Sequence, residues 1–178
     1  DRTPSLLDRT VTTGIVRADD VRRFAAGGYV GRACGRHFDA RRNHPYAPYD
    51  IIEPRDVVRE EGDVDARLWV RIDEVRDSLR LIRVFLEDLA PGPVAVPVTG
   101  EAPPHGGGCE GTGFVEAFRG DVFVFVRLNA DGTIARLHLR DPSWFQWPLL
   151  EAAIENNIVA DFPLINKSFN CSYSGHDL

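Results

Sequence analysis

Apolar residues recur at Leu68, Ile72, Val75, Leu79, Ile82, Phe85 or Leu86, and Leu89. Steps of three and four over that distance predict one face of a helix from about Gly62 to Leu89, the longest regular element the chain encodes. The other face carries Arg71, Asp73, Asp77, Arg80, Arg83 and Glu87. Asp73 with Arg76, Asp77 with Arg80, and Arg83 with Glu87 stand at helical pairing distance. Each stripe residue is worth about 1.5–3 kcal/mol if buried, so the helix is expected to pack its stripe on something. Pro91-Gly92-Pro93 ends it.

The rest of the chain must supply that packing. A shorter helix is expected over Asp19–Ala26, with Asp19 and Asp20 at the positive end of its dipole and Gly27-Gly28 stopping it. Ser5-Leu6-Leu7 reads as the end of something longer. Pro45, Pro48 and Pro54 make residues 35–56 loop-like. Residues 99–113 hold Pro103, Pro104 and six glycines, an internal Pro/Gly-rich loop. It is no phosphate cradle, because no Lys followed by Ser or Thr opens a helix there. Three strands come next, Gly113–Phe118, Val122–Leu128 and Thr133–Leu139, joined by turns at Arg119-Gly120-Asp121 and Asn129-Ala130-Asp131-Gly132. A second helix is expected over Pro148–Asn156, and residues 158–178 read as mostly irregular. The expected fold class is α+β: a long amphipathic helix and shorter helices packed with a small antiparallel three-stranded meander.

Composition removes several function classes. The 178 residues, 43% apolar and 27% charged, are an ordinary globular mix, which excludes disordered, collagenous and coiled-coil chains. The longest apolar run, Val122–Val126, is strand-sized, so the chain is not itself membrane-spanning. There is no Met and no signal peptide, and Asp1-Arg2-Thr3 reads as the cut edge of a longer protein. The net charge of −6 argues against a nucleic-acid partner, although Lys167 is the one lysine among 21 basic residues. Cys34, Cys109 and Cys171 are odd in number and form no C-x-x-C pair, which argues against disulfides and cysteine zinc sites and for a reducing compartment. His37, His44, His105 and His138 make no H-x-x-x-H or E-x-x-H pair, so no metal is assigned to them. No G-x-S-x-G points to hydrolase chemistry.

More specific words occur in a fixed order. They are Asp39-Ala40-Arg41-Arg42-Asn43-His44-Pro45-Tyr46-Ala47-Pro48-Tyr49-Asp50, Gly62-Asp63-Val64-Asp65-Ala66-Arg67, Arg76-Asp77-Ser78-Leu79-Arg80, Glu116-Ala117-Phe118-Arg119-Gly120, Arg140-Asp141-Pro142-Ser143 and Ser168-Phe169-Asn170. In that order and spacing the chain resembles the C-terminal half of the large subunit of energy-converting [NiFe] hydrogenases, formate hydrogenlyase included. It equally resembles their homologue, the quinone-site subunit of the respiratory complex I peripheral arm. The resemblance covers nearly the whole of residues 1–178 and implies the C-terminal portion of a hydrogenase large-subunit-like fold, with the N-terminal half absent.

The resemblance also implies a site. The hydrogenases hold nickel and iron with two C-x-x-C pairs, the C-terminal one in D-P-C-x-x-C-T-D-R, and soft thiolates suit these metals. Alignment on Ser168, Tyr173 and Asp177 puts Asn170 on the Asp, Cys171 on the Pro, Ser172 on the first Cys and Gly175 on the second. Both thiolates are therefore lost, and no metal is expected. Cys171, by a one-residue slip, and His176 could offer a sulfur and a nitrogen ligand, but a lone Cys and His five apart match no known site spacing well. The alternative reads Cys171 as a small buried residue and His176 as a near-terminal surface one. Glu116-x-x-Arg119-Gly120 resembles E-x-P-R-G, whose Arg lies near the buried cavity. Arg119 would need a carboxylate partner, Glu116 or Asp177, and all three are candidate cavity-lining residues. The alternative for Arg119 is a hairpin turn with Gly120 at positive φ. Arg140 carries the same two readings. Arg41, Tyr46, Tyr49 and Asp50 read as a loop-fixing cluster whose Tyr pair could face a partner subunit.

By resemblance, the chain would be a subunit of a membrane-associated, energy-converting oxidoreductase complex, passing electrons toward a quinone-like acceptor coupled to ion translocation, without a NiFe centre. The same resemblance implies quinone binding and, through its complex I branch, a respiratory NADH dehydrogenase with NAD binding. This chain itself would bind no cofactor. An iron–sulfur cluster would sit in a small partner subunit, antiporter-like membrane subunits would be the other partners, and the chain would lie on the cytoplasmic face of the inner membrane. The alternatives are the large subunit of an active [NiFe] hydrogenase or formate hydrogenlyase, and a non-catalytic structural coupling subunit. The chain alone is expected to be inactive.

Overall fold

The computed structural model describes residues 3–95 and 108–177. Four short helices come first: α1 (Pro4–Thr10), α2 (Ala18–Arg23), α3 (Gly28–Arg32) and α4 (Ala40–Asn43). The long helix α5 (Val64–Glu87) leads to strands β1 (Cys109–Ala117), β2 (Gly120–Leu128) and β3 (Ile134–Arg140). Helix α6 (Ser143–Ala153), a single 3₁₀ turn (Val159–Asp161) and α7 (Phe162–Phe169) complete the chain. The architecture is α+β, with the strands in the antiparallel order β1-β2-β3.

Helix α5 begins where Asp63 caps it, accepting from the Ala66 amide at 2.8 Å. The second Asp63 oxygen accepts from the Thr12 amide at 2.8 Å, so one buried carboxylate starts the helix and ties the segment after α1 to it. The core forms around Val21, Tyr29 and Val30 from α2 and α3, Val64 and Val70 from the start of α5, Leu149 and Ala153 from α6, and Ile165 and Phe169 from α7.

The apolar stripe predicted for the long helix is not the buried face. Val75, Leu79, Ile82, Leu86 and Leu89 are all exposed, Leu79 at 62% and Leu86 at 68%. The residues α5 buries are Val64, Ala66, Arg67, Val70, Asp77 and Leu81. The chain covers a different face, apolar at Val64, Ala66, Val70 and Leu81, and meets it through polar groups as well. Arg67 donates to backbone carbonyls, Glu74 accepts from Arg32, and Asp77 accepts from the Arg55 amide at 3.0 Å. The helical ion pairs form as expected, Arg76–Asp73 at 2.8 Å, Arg80–Asp77 at 2.6 Å and Arg83–Glu87 at 3.0 Å.

Other boundaries shift. Strand β1 starts at Cys109, four residues before the expected strand, because Gly111 and Thr112 pair with Val126 and Phe125 of β2. Residues 99–107 of the expected loop lie outside the described residues. The first hairpin turn is the dipeptide Phe118-Arg119, since Ala117 pairs with Gly120. Helix α6 starts at Ser143 and carries Pro148 in its interior, whereas the sequence pattern predicts Pro148 as its first residue. Helix α7 occupies a stretch that reads as irregular in sequence; at eight residues it is too short for periodicity to betray it. The expected helix Asp19–Ala26 stops at Arg23, and Ala25 takes a φ of 54°.

Candidate functional site at the hairpin tip and C-terminal loop

The tip of the β1–β2 hairpin presses on the start of α3. A Cβ on Gly28 would lie 2.1 Å from the Arg119 carbonyl oxygen, and its φ is +62°, so only glycine serves there. Gln146 of α6, fully buried, donates to the same Arg119 carbonyl at 2.7 Å. The Arg119 side chain donates through Nε to the Asn170 carbonyl. Asn170 ends α7 in a left-handed turn with φ 49°, which aims the chain across the hairpin tip. Arg119 therefore joins β-hairpin, α6 and the loop after α7.

The loop from Asn170 to Asp177 is bound to α6. Ser143 Oγ accepts from the Ser172 amide at 2.9 Å. Ser172 Oγ accepts from the Gly175 amide at 2.9 Å. Trp144 donates to the Gly175 carbonyl at 2.7 Å and Trp147 to the Ser172 carbonyl at 3.3 Å. The Trp147 ring lies 5.1 Å from Tyr173 and 6.3 Å from His176. Cys171 is buried, and burial pushes its thiol up to about 11 against the opposing pull of Arg119.

The sequence-derived residues divide into three groups. Arg119, Ser172 and Gly175 come together around this loop. Glu116 does not pair with Arg119. It belongs to a second buried cluster centred on Arg32, which donates to Glu74 at 2.7 Å and to Glu116 at 2.9 Å and stands 3.7 Å from Asp39. Asp177 is exposed and meets no ion-pair partner among the described residues. The two carboxylates expected to neutralise Arg119 thus lie elsewhere, and a backbone carbonyl takes their place. Arg140 pairs with Asp121 and lies over the Phe123 and Phe145 rings, binding the sheet to α6. Tyr46 and Tyr49 stack edge to face at 5.2 Å with Arg41 over Tyr49.

The Arg32 cluster has its own electrostatics. Burial would lower Arg32, but Glu74, Glu116 and Asp39 outweigh it and raise its pKa. Burial lifts the Glu74 and Glu116 carboxyls, and the charge of Arg32 only partly offsets this. Burial acts the same way on Asp39, but its bonds to Arg41 and the charge of Arg32 prevail and hold it below the usual range. A cavity of about 290 Å³ opens beside the cluster, lined among others by Arg71, Ser78 and Phe118. Arg71 stands over Tyr29 at 5.5 Å and Phe118 at 5.1 Å.

Sequence reasoning assigned no role to Arg67, the largest fully buried side chain. It donates to the Gly62 carbonyl at 2.7 Å, the Gly14 carbonyl at 2.9 Å and Ser168 Oγ at 2.9 Å, and lies 4.6 Å over the Phe169 ring. Burial pushes its pKa down to about 10. Its only signal in the sequence is its place between Ala66 and Val70 on the first turns of α5.

The geometry can be tested against the metal centre that the resemblance implies. Ser172 offers a hydroxyl that already accepts a backbone bond, and Gly175 offers nothing. A Cβ at Gly175 would lie 2.6 Å from Asp141 Cγ. Among the described residues no three His, Cys, Asp or Glu side chains converge as a metal site. The donors present do not fit a thiolate-held NiFe group.

Residues 1–107 and 96–177 match the family described as respiratory-chain NADH dehydrogenase, 49 kDa subunit. The chain belongs to this family. Its relatives include a carbon monoxide-induced hydrogenase of Rhodospirillum rubrum, 34% identical over 94% of this chain and 45% of the relative. Formate hydrogenlyase subunit 5 of Escherichia coli K12 is 34% identical over 98% of this chain and 30% of the relative. An NADH-quinone oxidoreductase subunit of Desulfotalea psychrophila is 33% identical over 88% of this chain and 42% of the relative. The chain spans less than half the length of these curated relatives. The relatives of this chain thus include both hydrogenase and NADH-quinone oxidoreductase subunits, as the sequence words implied. Among the described residues no helix is long and apolar enough to cross a membrane.

Proposed function

We propose that the chain is the C-terminal part of a subunit in a membrane-associated, energy-converting oxidoreductase complex. Electrons pass toward a quinone-like acceptor, coupled to ion translocation, with no NiFe centre. The carrying observation is the loop at residues 170–177. Its thiolate positions are Ser172 and Gly175, the first engaged by a backbone amide and the second pressed by Asp141. That donor set favours the NADH-quinone oxidoreductase side of the family over the hydrogenase side. A peripheral place on the cytoplasmic face, beside an iron–sulfur subunit and antiporter-like membrane subunits, is what the family resemblance implies, and relatives of this chain bear hydrogenase and NADH-quinone oxidoreductase names.

The test uses the complex purified with its native partners. Quinone-dependent electron flow with far less than one nickel per complex is the expected result. Stoichiometric nickel with hydrogen evolution would transfer the assignment to a working hydrogenase. No electron transfer under any donor and acceptor pair would leave a structural coupling role.

A further inference from the structure

We infer that Asp141 has taken the volume a side chain at position 175 would need, so that this chain closes its C-terminal loop against a thiolate-bound metal with its own carboxylate. The inference deepens the functional reading above and rests on its family assignment. A Cβ on Gly175 would approach Asp141 Cγ to 2.6 Å, Asp141 Oδ2 to 2.7 Å and Asp141 Cβ to 3.0 Å, all inside van der Waals contact. The backbone is not the obstacle, because Gly175 is absent from the positive-φ glycines of the described chain.

Neither side is free to retreat. Asp141 Oδ1 accepts from the Ser143 amide at 2.8 Å, at the first turn of α6. The Gly175 carbonyl accepts from Trp144 at 2.7 Å, and the Gly175 amide donates to Ser172 Oγ at 2.9 Å. Ser172 is in turn bonded to Ser143 at 2.9 Å. Carboxylate and loop are thus pinned to the same helix, and α6 sets the distance between them. Glycine at 175 and aspartate at 141 are one feature: the absent side chain makes room for the carboxylate. A cysteine restored at 175 would meet Asp141 before it could meet a metal.

The test is a double-mutant cycle on the full 178-residue chain, read as thermal midpoint, with Gly175→Ala, Asp141→Ala and the pair. Gly175→Ala should lower the midpoint by about 5 °C when Asp141 is present, the scale of an overpacked site in a chain this long. It should lose less than half as much when residue 141 is alanine. Failure of Gly175→Ala to fold only in the Asp141 background also supports the inference. Equal losses in both backgrounds, no loss in either, or failure to fold in both would overturn it. The cycle uses no donor, quinone or metal, so its result is independent of whether the complex reduces quinone.

Discussion

The two ends of α5 are made alike and treated differently. Both carry apolar residues at helical spacing, and both carry charged neighbours. The first end is locked into the chain: Val64, Ala66 and Val70 are in the core, and Arg67 is wholly enclosed. The second end, from Ile82 to Glu87, buries none of its residues. Periodicity thus marks faces able to be covered, while the chain's own contacts select which are. In α5 the face the chain covers mixes apolar Val64, Ala66, Val70 and Leu81 with polar groups, held by Arg67, Glu74 and Asp77.

The sharpest test of that contrast is a pair of alanines. Arg67→Ala empties a buried volume and strands the Gly14 and Gly62 carbonyls, so urea unfolding should show a loss of about 3–5 kcal/mol. Leu86→Ala should stay within about 0.5 kcal/mol of the parent. Comparable losses at the two positions would erase the distinction between the ends.

Next in size is the cap. Asp63→Ala removes the bonds to the Ala66 and Thr12 amides and should cost about 1–2 kcal/mol in the same assay. Asp63→Asn should recover part of that loss, because a carboxamide oxygen can still accept.

The middle of the helix, where Glu74 meets Arg32, carries a smaller, pH-dependent effect. Asp39 is held below its ordinary value of 3.8, so its stabilisation is present above that value and is lost as pH falls through its lower folded pKa. Glu74 and Glu116 are raised above 4.5, so each binds its proton more readily when folded, and stability falls as pH rises from 4.5 through their folded values. Urea midpoints should therefore bend in opposite senses on the two sides of about pH 4. Asp39→Asn should flatten the acid limb and Glu116→Gln the limb above pH 4.5. An unchanged profile in both variants would detach the cluster from acid stability.

The smallest effect leaves stability untouched. Burial pushes the Cys34 thiol up to about 12 and Cys171 up to about 11, whereas Cys109 is exposed on β1. A disulfide-exchange reagent at about pH 8 should modify one thiol quickly and the other two only on unfolding. Rapid reaction at Cys34 would mean that the core around the first end of α5 opens readily.

Much of this architecture is legible in the residues. The long helix, its three ion pairs and the three-stranded meander come from spacing and turn residues, because these are local properties. Helix α7 and the interior place of Pro148 are not legible, since a short helix lacks the turns that make periodicity visible. Of the candidate site, Arg119, Ser172 and Gly175 converge, but Glu116 went to Arg32. Three residues along a strand and turn are enough to point a side chain into a different cluster.

Residue identity and order alone carry the family and the α+β class. Packing in three dimensions selected which face of α5 is covered, which carboxylates gather on Arg32, and the stand of Asp141 against Gly175. Those are distances between residues far apart in the chain, and no local pattern encodes them.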